Sequence, residues 1–194
     1  MRADLYNFLG ALMARPPSDQ LLQQCRSLSG DDTSIGTAIA ALARAARQTD
    51  AATADREYHN LFIGVGRGEV LPYASYYLTG FLHEKPLAQL RGDMLKLGIA
   101  RADGVAEPED GIASLCEMMA GLITGAFGAP LPIEEQRAFF NRHLAPWAEN
   151  FFNDLAAAGS ARLYAPVGEL GAAFIRIEKE AFRMAGAEAG AQAD

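Results

Sequence analysis

Apolar residues recur along most of the chain at spacings of three and four positions, which places them on one face of an α-helix. The clearest case runs from Ile112 to Ile123, where apolar residues follow an i, i+3, i+4, i+7, i+10, i+11 spacing. No stretch alternates apolar and polar residues as a half-buried strand does. The pattern therefore predicts an all-α fold.

Proline and glycine residues divide this pattern into separate helices. Pro16 and Pro17 end the first helix, and Pro108 suits the first turn of the clearest one. The periodic segments predict a single compact bundle of about eight to ten helices over residues 1–184. The Ala/Gly/Glu-rich segment 185–194 is expected to fray as a disordered tail.

One segment departs from helical spacing more than any other. Residues 64–72 contain three glycines and one proline, which predicts a shaped loop. Its GVGRG stretch has some likeness to a phosphate-binding loop, but the GK[ST] ending is missing and a helix rather than a strand precedes it. We therefore interpret this stretch as a turn that glycine permits.

Composition and charge narrow the classes of partner. The chain has 194 residues, of which 50% are hydrophobic, and a formal net charge of −7 at pH 7. This balance argues against a nucleic-acid surface, which normally shows clustered Lys and Arg, and it suits a basic partner. The chain begins without a signal-peptide pattern and has no run of about 18 uncharged apolar residues. We expect a cytoplasmic protein without stable membrane insertion.

Metal and nucleophilic chemistry find little support in the sequence. His59, His83 and His143 are scattered, and each is expected at the surface or at a helix end. Cys25 and Cys116 lie far apart and form no CxxC pair, so both are expected to be reduced, buried thiols. Neither an HExxH nor a GxSxG motif occurs. We therefore expect no metal site and no cofactor.

A group of carboxylates leaves one catalytic alternative open. Glu107, Glu109 and Asp110 could form an acid/base pair in a helical small-molecule enzyme. An acidic turn that starts a helix is the commoner explanation for such residues. We expect a protein that is not an enzyme, and a perturbed carboxylate pKa in a closed pocket would favour the enzyme alternative. A transcription regulator is disfavoured, because no basic recognition helix is present.

Three motifs occur in order along the chain. Residues 57–64 read EYHNLFIG and are followed by VLPYASYY at residues 70–77; residues 107–113 read EPEDGIA, and residues 139–147 read FFNRHLAPW. Together they resemble the TorD/DmsD family of redox-enzyme maturation chaperones, whose members show E-Y-x-x-L-F-x-G, P-Y/W-x-S, E-P-x-D-H and F-x-x-H-L-x-x-W elements. Gly111 stands where the family usually has a histidine.

The resemblance covers roughly residues 1–184 and carries expectations for fold and function. It implies a TorD-like helical chaperone that binds the twin-arginine signal peptide, the apoprotein of a molybdenum-cofactor oxidoreductase, or both. Such a chaperone assists cofactor insertion and delays export through the Tat pathway. The resemblance also implies a monomer or a domain-swapped homodimer.

A twin-arginine leader has a cationic start and an apolar core, so its receptor should offer an apolar groove with acidic groups near one end. Tyr58, Phe62, Phe139 and Trp147 are expected to serve mainly the core or helix packing. The loop and the acidic turn form one site only if they lie close together. The expected peptide-binding residues are Leu71, Pro72, Tyr73, Tyr76, Tyr77, Glu107, Pro108, Glu109 and Asp110.

Overall fold

The computed structural model describes residues 1–101, Gly104 and residues 107–191. Within this part of the chain there are ten α-helices and no β-strand, which confirms the predicted all-α fold. In chain order the helices are α1 (Arg2–Ala14), α2 (Asp19–Ser27), α3 (Ser34–Arg47), α4 (Ala51–Tyr58), α5 (Ala74–Thr79), α6 (Lys85–Lys96), α7 (Ile112–Thr124), α8 (Ile133–His143), α9 (Ala148–Ala157) and α10 (Tyr164–Ala191).

Helix α10 lies at the centre of the packing. It packs against α9 and α3, while α1 packs against α7 and α2 packs against α3. The contact between α10 and α9 is close, because a Cβ atom at Gly171 would lie 2.3 Å from the ring of Phe152. A single hydrophobic cluster extends through these helices, from Tyr6 in α1 to Phe182 in α10.

The first motif holds three helix ends together. The buried carboxylate of Glu57, in the last turn of α4, accepts hydrogen bonds from the backbone N–H groups of Arg162 (2.7 Å), Leu163 (3.1 Å) and Tyr164 (2.8 Å). These groups lead into α10, so Glu57 satisfies donors that a helix start leaves without partners. The next residue, Tyr58, donates its hydroxyl to the carbonyl of Met13 near the end of α1 (3.2 Å).

The third motif joins α8 and α9 to α6. Trp147 is buried and donates its indole N–H to the carbonyl of His143 (2.7 Å). The Nε2 atom of His143 lies 3.0 Å from Oδ2 of Asp93 in α6. His143 is the last residue of α8, as a helix-end residue should be, but its side chain is buried rather than exposed. His59 and His83 are exposed, as the sequence predicts.

Two helix boundaries differ from the sequence prediction. Helix α7 begins at Ile112, so Pro108 lies in a turn before the helix rather than in its first turn. The reason is a backbone pairing, because the N–H of Ile112 bonds to the carbonyl of Pro72 (2.9 Å). At the other end of the chain the backbone is helical to Ala191, and residues 192–194 lie outside the described part. A disordered tail over 185–194 stays a prediction.

The two cysteines are free and buried, as predicted. Burial raises the pKa of the Cys25 thiol to about 11 and raises that of Cys116 further still, so both thiols stay protonated at neutral pH. None of the described helices combines the length and the apolar character needed to cross a membrane.

We predict that Glu57→Ala destabilises the fold strongly. The change removes one charged acceptor and leaves three backbone N–H groups without it, which should lower the free energy of unfolding by about 3 kcal/mol. Urea unfolding followed by circular dichroism measures this difference. The matched control is Glu69→Ala, because Glu69 also accepts hydrogen bonds from the segment before α10, at Ser160, but is exposed. Equal losses in the two variants would contradict the anchoring role of Glu57.

Candidate functional site

The glycine-rich loop and the acidic turn lie side by side. Tyr73 and Gly111 form an isolated antiparallel bridge. The N–H of Ala74 bonds to the carbonyl of Asp110 (3.0 Å), and the N–H of Ile112 bonds to the carbonyl of Pro72 (2.9 Å). The structure therefore brings together the two segments that the sequence assigned to one site.

The glycine-rich loop is held in shape because the chain folds back against the end of α4. Residues His59–Ile63 form a single π-helical turn that continues α4. The chain then folds back, so that the N–H of Val70 bonds to the carbonyl of Leu61 (2.9 Å). This return requires glycine at position 68, because a Cβ atom on Gly68 would lie 2.5 Å from the carbonyl oxygen of Leu61.

A cavity of about 70 Å³ lies between the loop and the end of α4, and we call it the aromatic cavity. Its lining includes the half-buried rings of Phe62 and Tyr73 together with Glu107. The sequence prediction had assigned Tyr58 and Phe62 to packing, and Ile63 was not among the expected site residues. Its wall also contains Tyr58, Ile63, Pro108 and Gly111.

A larger groove of about 560 Å³ runs between the α1–α2 turn and α7, and we call it the long groove. It shares Glu107, Ala113 and Ser114 with the aromatic cavity, so the two adjoin. None of the sequence motifs indicates this groove. Small residues such as Ala11 and Ala14 leave room for it, but by themselves they are indistinguishable from ordinary surface alanines.

The three carboxylates of the acidic turn have different roles. Glu109 is buried and accepts two hydrogen bonds from Arg91 in α6 (2.9 and 3.1 Å). Asp110 is also buried and accepts a hydrogen bond from the N–H of Ser75 in the first turn of α5 (2.7 Å). Only Glu107 is exposed, and it forms no ion pair with any described residue. Two of the three carboxylates assigned to the site therefore hold the fold together, and only Glu107 faces solvent.

Glu107 belongs to the lining of the aromatic cavity, and its charge acts on two tyrosines there. Burial raises the pKa of Tyr58 to about 12, and the charge of Glu107 adds to this rise. The pKa of Tyr73 is raised first by burial and then by Glu107 and Asp110. Both phenols therefore stay protonated and can donate hydrogen bonds.

These carboxylates do not form an acid/base pair. Burial acts to raise the pKa of Glu109, but hydrogen bonds from Arg91 outweigh it and hold that pKa below its ordinary value. A general acid at neutral pH needs a raised pKa instead. Only one oxygen of Asp110, Oδ2, accepts a hydrogen bond from the backbone of α5, and its buried Oδ1 has no hydrogen-bond partner among the described residues. The geometry thus gives no support to the enzyme alternative.

The remaining expected site residues line a different cavity. Leu71, Tyr76 and Tyr77 border a space of about 240 Å³ together with Arg67 and Asp154. Tyr77 donates its hydroxyl to Asp154 (2.8 Å), and the guanidinium of Arg67 lies 4.9 Å from the ring centre of Tyr76. The structure therefore divides the predicted site, with Pro72, Tyr73, Glu107 and Pro108 at the aromatic cavity and these three residues elsewhere.

Comparison with known proteins finds relatives whose alignments cover nearly the whole chain. A family model described as nitrate reductase delta subunit matches residues 29–153. Chaperone protein TorD of Vibrio cholerae serotype O1 is 28% identical over 198 residues, covering 92% of this chain and 90% of the relative. Chaperone protein TorD of Vibrio vulnificus is 26% identical over 200 residues, covering 92% of this chain and 93% of the relative.

A solved structure shows the same fold. A redox enzyme maturation protein from Archaeoglobus fulgidus superposes with a TM-score of 0.59 at 21% identity, covering 91% of this chain and 94% of the other. The resemblance drawn from the three motifs is thereby confirmed. These relatives are named as chaperones or maturation proteins rather than as catalysts, in agreement with the prediction that this chain is not an enzyme.

We predict that the ion pair of Glu109 contributes stability that acid removes. The pKa of Glu109 in the folded protein lies below its ordinary value of 4.5. Its contribution is therefore complete above that value and is lost as the pH falls through the lower folded pKa. Glu109→Gln should lower the free energy of unfolding by about 1–3 kcal/mol at neutral pH, and the difference should shrink as the pH falls below the ordinary value of 4.5.

Urea unfolding at a series of pH values tests this prediction. Glu107→Gln is the matched control, because it neutralises a carboxylate of the same turn that has no ion pair among the described residues. A difference between wild type and Glu109→Gln that stays constant as the pH falls would show that the pair does not titrate as described.

Proposed function

Because the chain belongs to the nitrate reductase delta subunit family, we propose that it is a cytoplasmic chaperone for a molybdenum-cofactor oxidoreductase. It binds the twin-arginine leader of the catalytic subunit, the apoprotein, or both, and delays export until the cofactor is inserted. The names of the relatives, chaperone protein TorD and a redox enzyme maturation protein, support this role. The observation that carries the proposal is the aromatic cavity, which has one free carboxylate at its edge and adjoins an open groove.

The shape of the two spaces suits a leader peptide. The apolar core of a leader supplies one side chain for the aromatic cavity, between Tyr73 and Phe62. Its arginines lie in the long groove, where Glu107 and Glu117 are exposed and form no ion pair with any described residue. Arg15 also lines the long groove, so two negative charges face one positive charge there.

Apolar contacts should dominate the affinity. Fully burying a Leu or Phe side chain stabilises by about 1.5–3 kcal/mol, whereas an exposed ion pair contributes roughly 0–1 kcal/mol. The carboxylates instead speed the encounter and orient the peptide. Tyr73 should therefore matter more than Glu107 for the dissociation constant, and Glu107 more for its dependence on salt.

We predict that Tyr73→Ala weakens leader binding by roughly tenfold to a hundredfold, because it removes one wall of the aromatic cavity. Isothermal titration of the purified protein with twin-arginine leader peptides measures this change. Tyr76→Ala is the comparison, since Tyr76 lines the other cavity; a larger loss there would move the peptide to that cavity. Making the apolar core of the leader polar should weaken binding more than replacing both arginines by glutamine.

Failure of these titrations would have a definite meaning. If no twin-arginine leader from the host binds the wild-type protein, the leader-binding proposal is wrong. If the protein also turns over a small molecule, the enzyme alternative that uses the Glu107–Asp110 carboxylates gains support.

We predict that Glu107→Gln reduces the salt dependence of leader binding while leaving the fold intact. The wild-type affinity should fall more steeply with added salt than that of the variant, because salt screens an exposed charge. Neutralising all three carboxylates is a poor experiment, since Glu109 and Asp110 stabilise the fold. Glu134→Gln, an exposed residue in α8, makes the same charge change away from both spaces. Equal salt dependence in wild type and Glu107→Gln would remove Glu107 from the site.

A further inference from the structure

Gly111 is a glycine that its backbone conformation does not require. Its φ of −67° and ψ of 145° are angles that any residue adopts. A Cβ atom there would lie 3.4 Å from the Tyr73 ring and 3.5 Å from the carbonyl oxygen of Pro108, which are ordinary contact distances. Gly68 differs, because a Cβ atom on it would overlap the backbone. The fold therefore explains Gly68 but leaves Gly111 unexplained.

The position of Gly111 supplies an explanation. It lies in the wall of the aromatic cavity and faces the ring of Tyr73. Any side chain at position 111 would start in contact with that ring and would occupy space in the cavity or displace the ring. The cavity measures about 70 Å³ as it stands. Without a side chain at position 111, the space beside the Tyr73 ring stays free.

The size and lining of the cavity limit its occupant. On this measure a single water needs only about 10–15 Å³, so the space holds several waters or one side chain of modest size. Most of the residues that line it are apolar or aromatic in type, and Glu107 is the one charged residue among the described residues there. A single branched aliphatic side chain fits these properties better than an aromatic ring or a charged group does.

We propose that Gly111 determines which apolar side chain of a bound peptide the protein selects. One leucine-sized aliphatic side chain, the anchor, enters the aromatic cavity, and the absence of a side chain at position 111 sets its size. This inference rests on the proposed function and deepens it. The anchor and the side chain at position 111 share one space. A larger side chain at position 111 therefore requires a smaller anchor.

The test is a double-mutant cycle between protein and peptide. Leader peptides carry Ala, Leu or Phe at each core position in turn, and isothermal titration against the full-length protein identifies the anchor as the position where Leu is preferred. Wild type should bind the Leu peptide about tenfold or more tightly than the Ala peptide. Gly111→Leu should bind the Leu peptide at least about tenfold more weakly, while its affinity for the Ala peptide should change less than about threefold.

Two further variants control the experiment. Gly92→Leu adds the same side chain in α6, where a Cβ atom meets nothing within 4 Å, and it should leave the order of affinities unchanged. Gly111→Ala adds only the Cβ atom, which fits at contact distance, and it should reduce the preference for Leu by a smaller factor. This variant answers the question if Gly111→Leu does not fold, which circular dichroism shows.

The outcomes separate the two proposals. If leaders bind wild type and the order of affinities is the same in Gly111→Ala, Gly111→Leu and wild type, Gly111 does not select the anchor and leader binding stands. Equal weakening of all peptides by Gly111→Leu likewise overturns the inference. If no leader binds wild type, the proposed function fails, and the selection of an anchor fails with it.

Discussion

The buried carboxylate of Glu57 is the interaction on which the arrangement around the site depends. Removing a carboxylate from water is costly unless hydrogen bonds replace its hydration, and the backbone ahead of α10 supplies three. This geometry fixes the end of α4 against the start of α10. Tyr58 and Phe62 follow directly, so the wall of the aromatic cavity is positioned by a charge in the interior rather than by the loop that borders it.

Other carboxylates work in the same way. Asp110 accepts from the first turn of α5, Glu109 pairs with Arg91, and Glu178 is held by Arg2 (2.8 Å to each oxygen) and by the hydroxyl of Tyr6. Several acidic residues of the chain therefore serve the fold. The net charge of −7 says little about where a cationic partner binds. The exposed carboxylates that border the long groove are a better guide.

Within five residues the second motif contains groups that stabilise the fold and groups that border the proposed binding site. Glu109 and Asp110 are occupied by their own protein, whereas Glu107 faces solvent and Gly111 leaves space in the aromatic cavity. The bridge between Gly111 and Tyr73 links these roles, because it sets the distance between the turn and the loop. The same bridge delays the start of α7, so the residues that border the site stay outside a helix. Their backbone groups bond across to the loop instead.

The sequence by itself determined the helical class, the inert thiols and the family, because each depends on local spacing or on residues read in order. Helical periodicity from Ile112 to Ile123 needs only neighbours three and four positions apart. The sequence did not determine whether the loop and the acidic turn lie close together; the tertiary structure shows that they do. The tertiary structure also decided which acidic side chains remain exposed. Glu109 accepts a hydrogen bond from Arg91, which is 18 positions away in the sequence, and Asp110 accepts one from Ser75, which is 35 positions away. A glycine that only leaves room for a ligand cannot be told from a turn glycine until the opposite wall is in place.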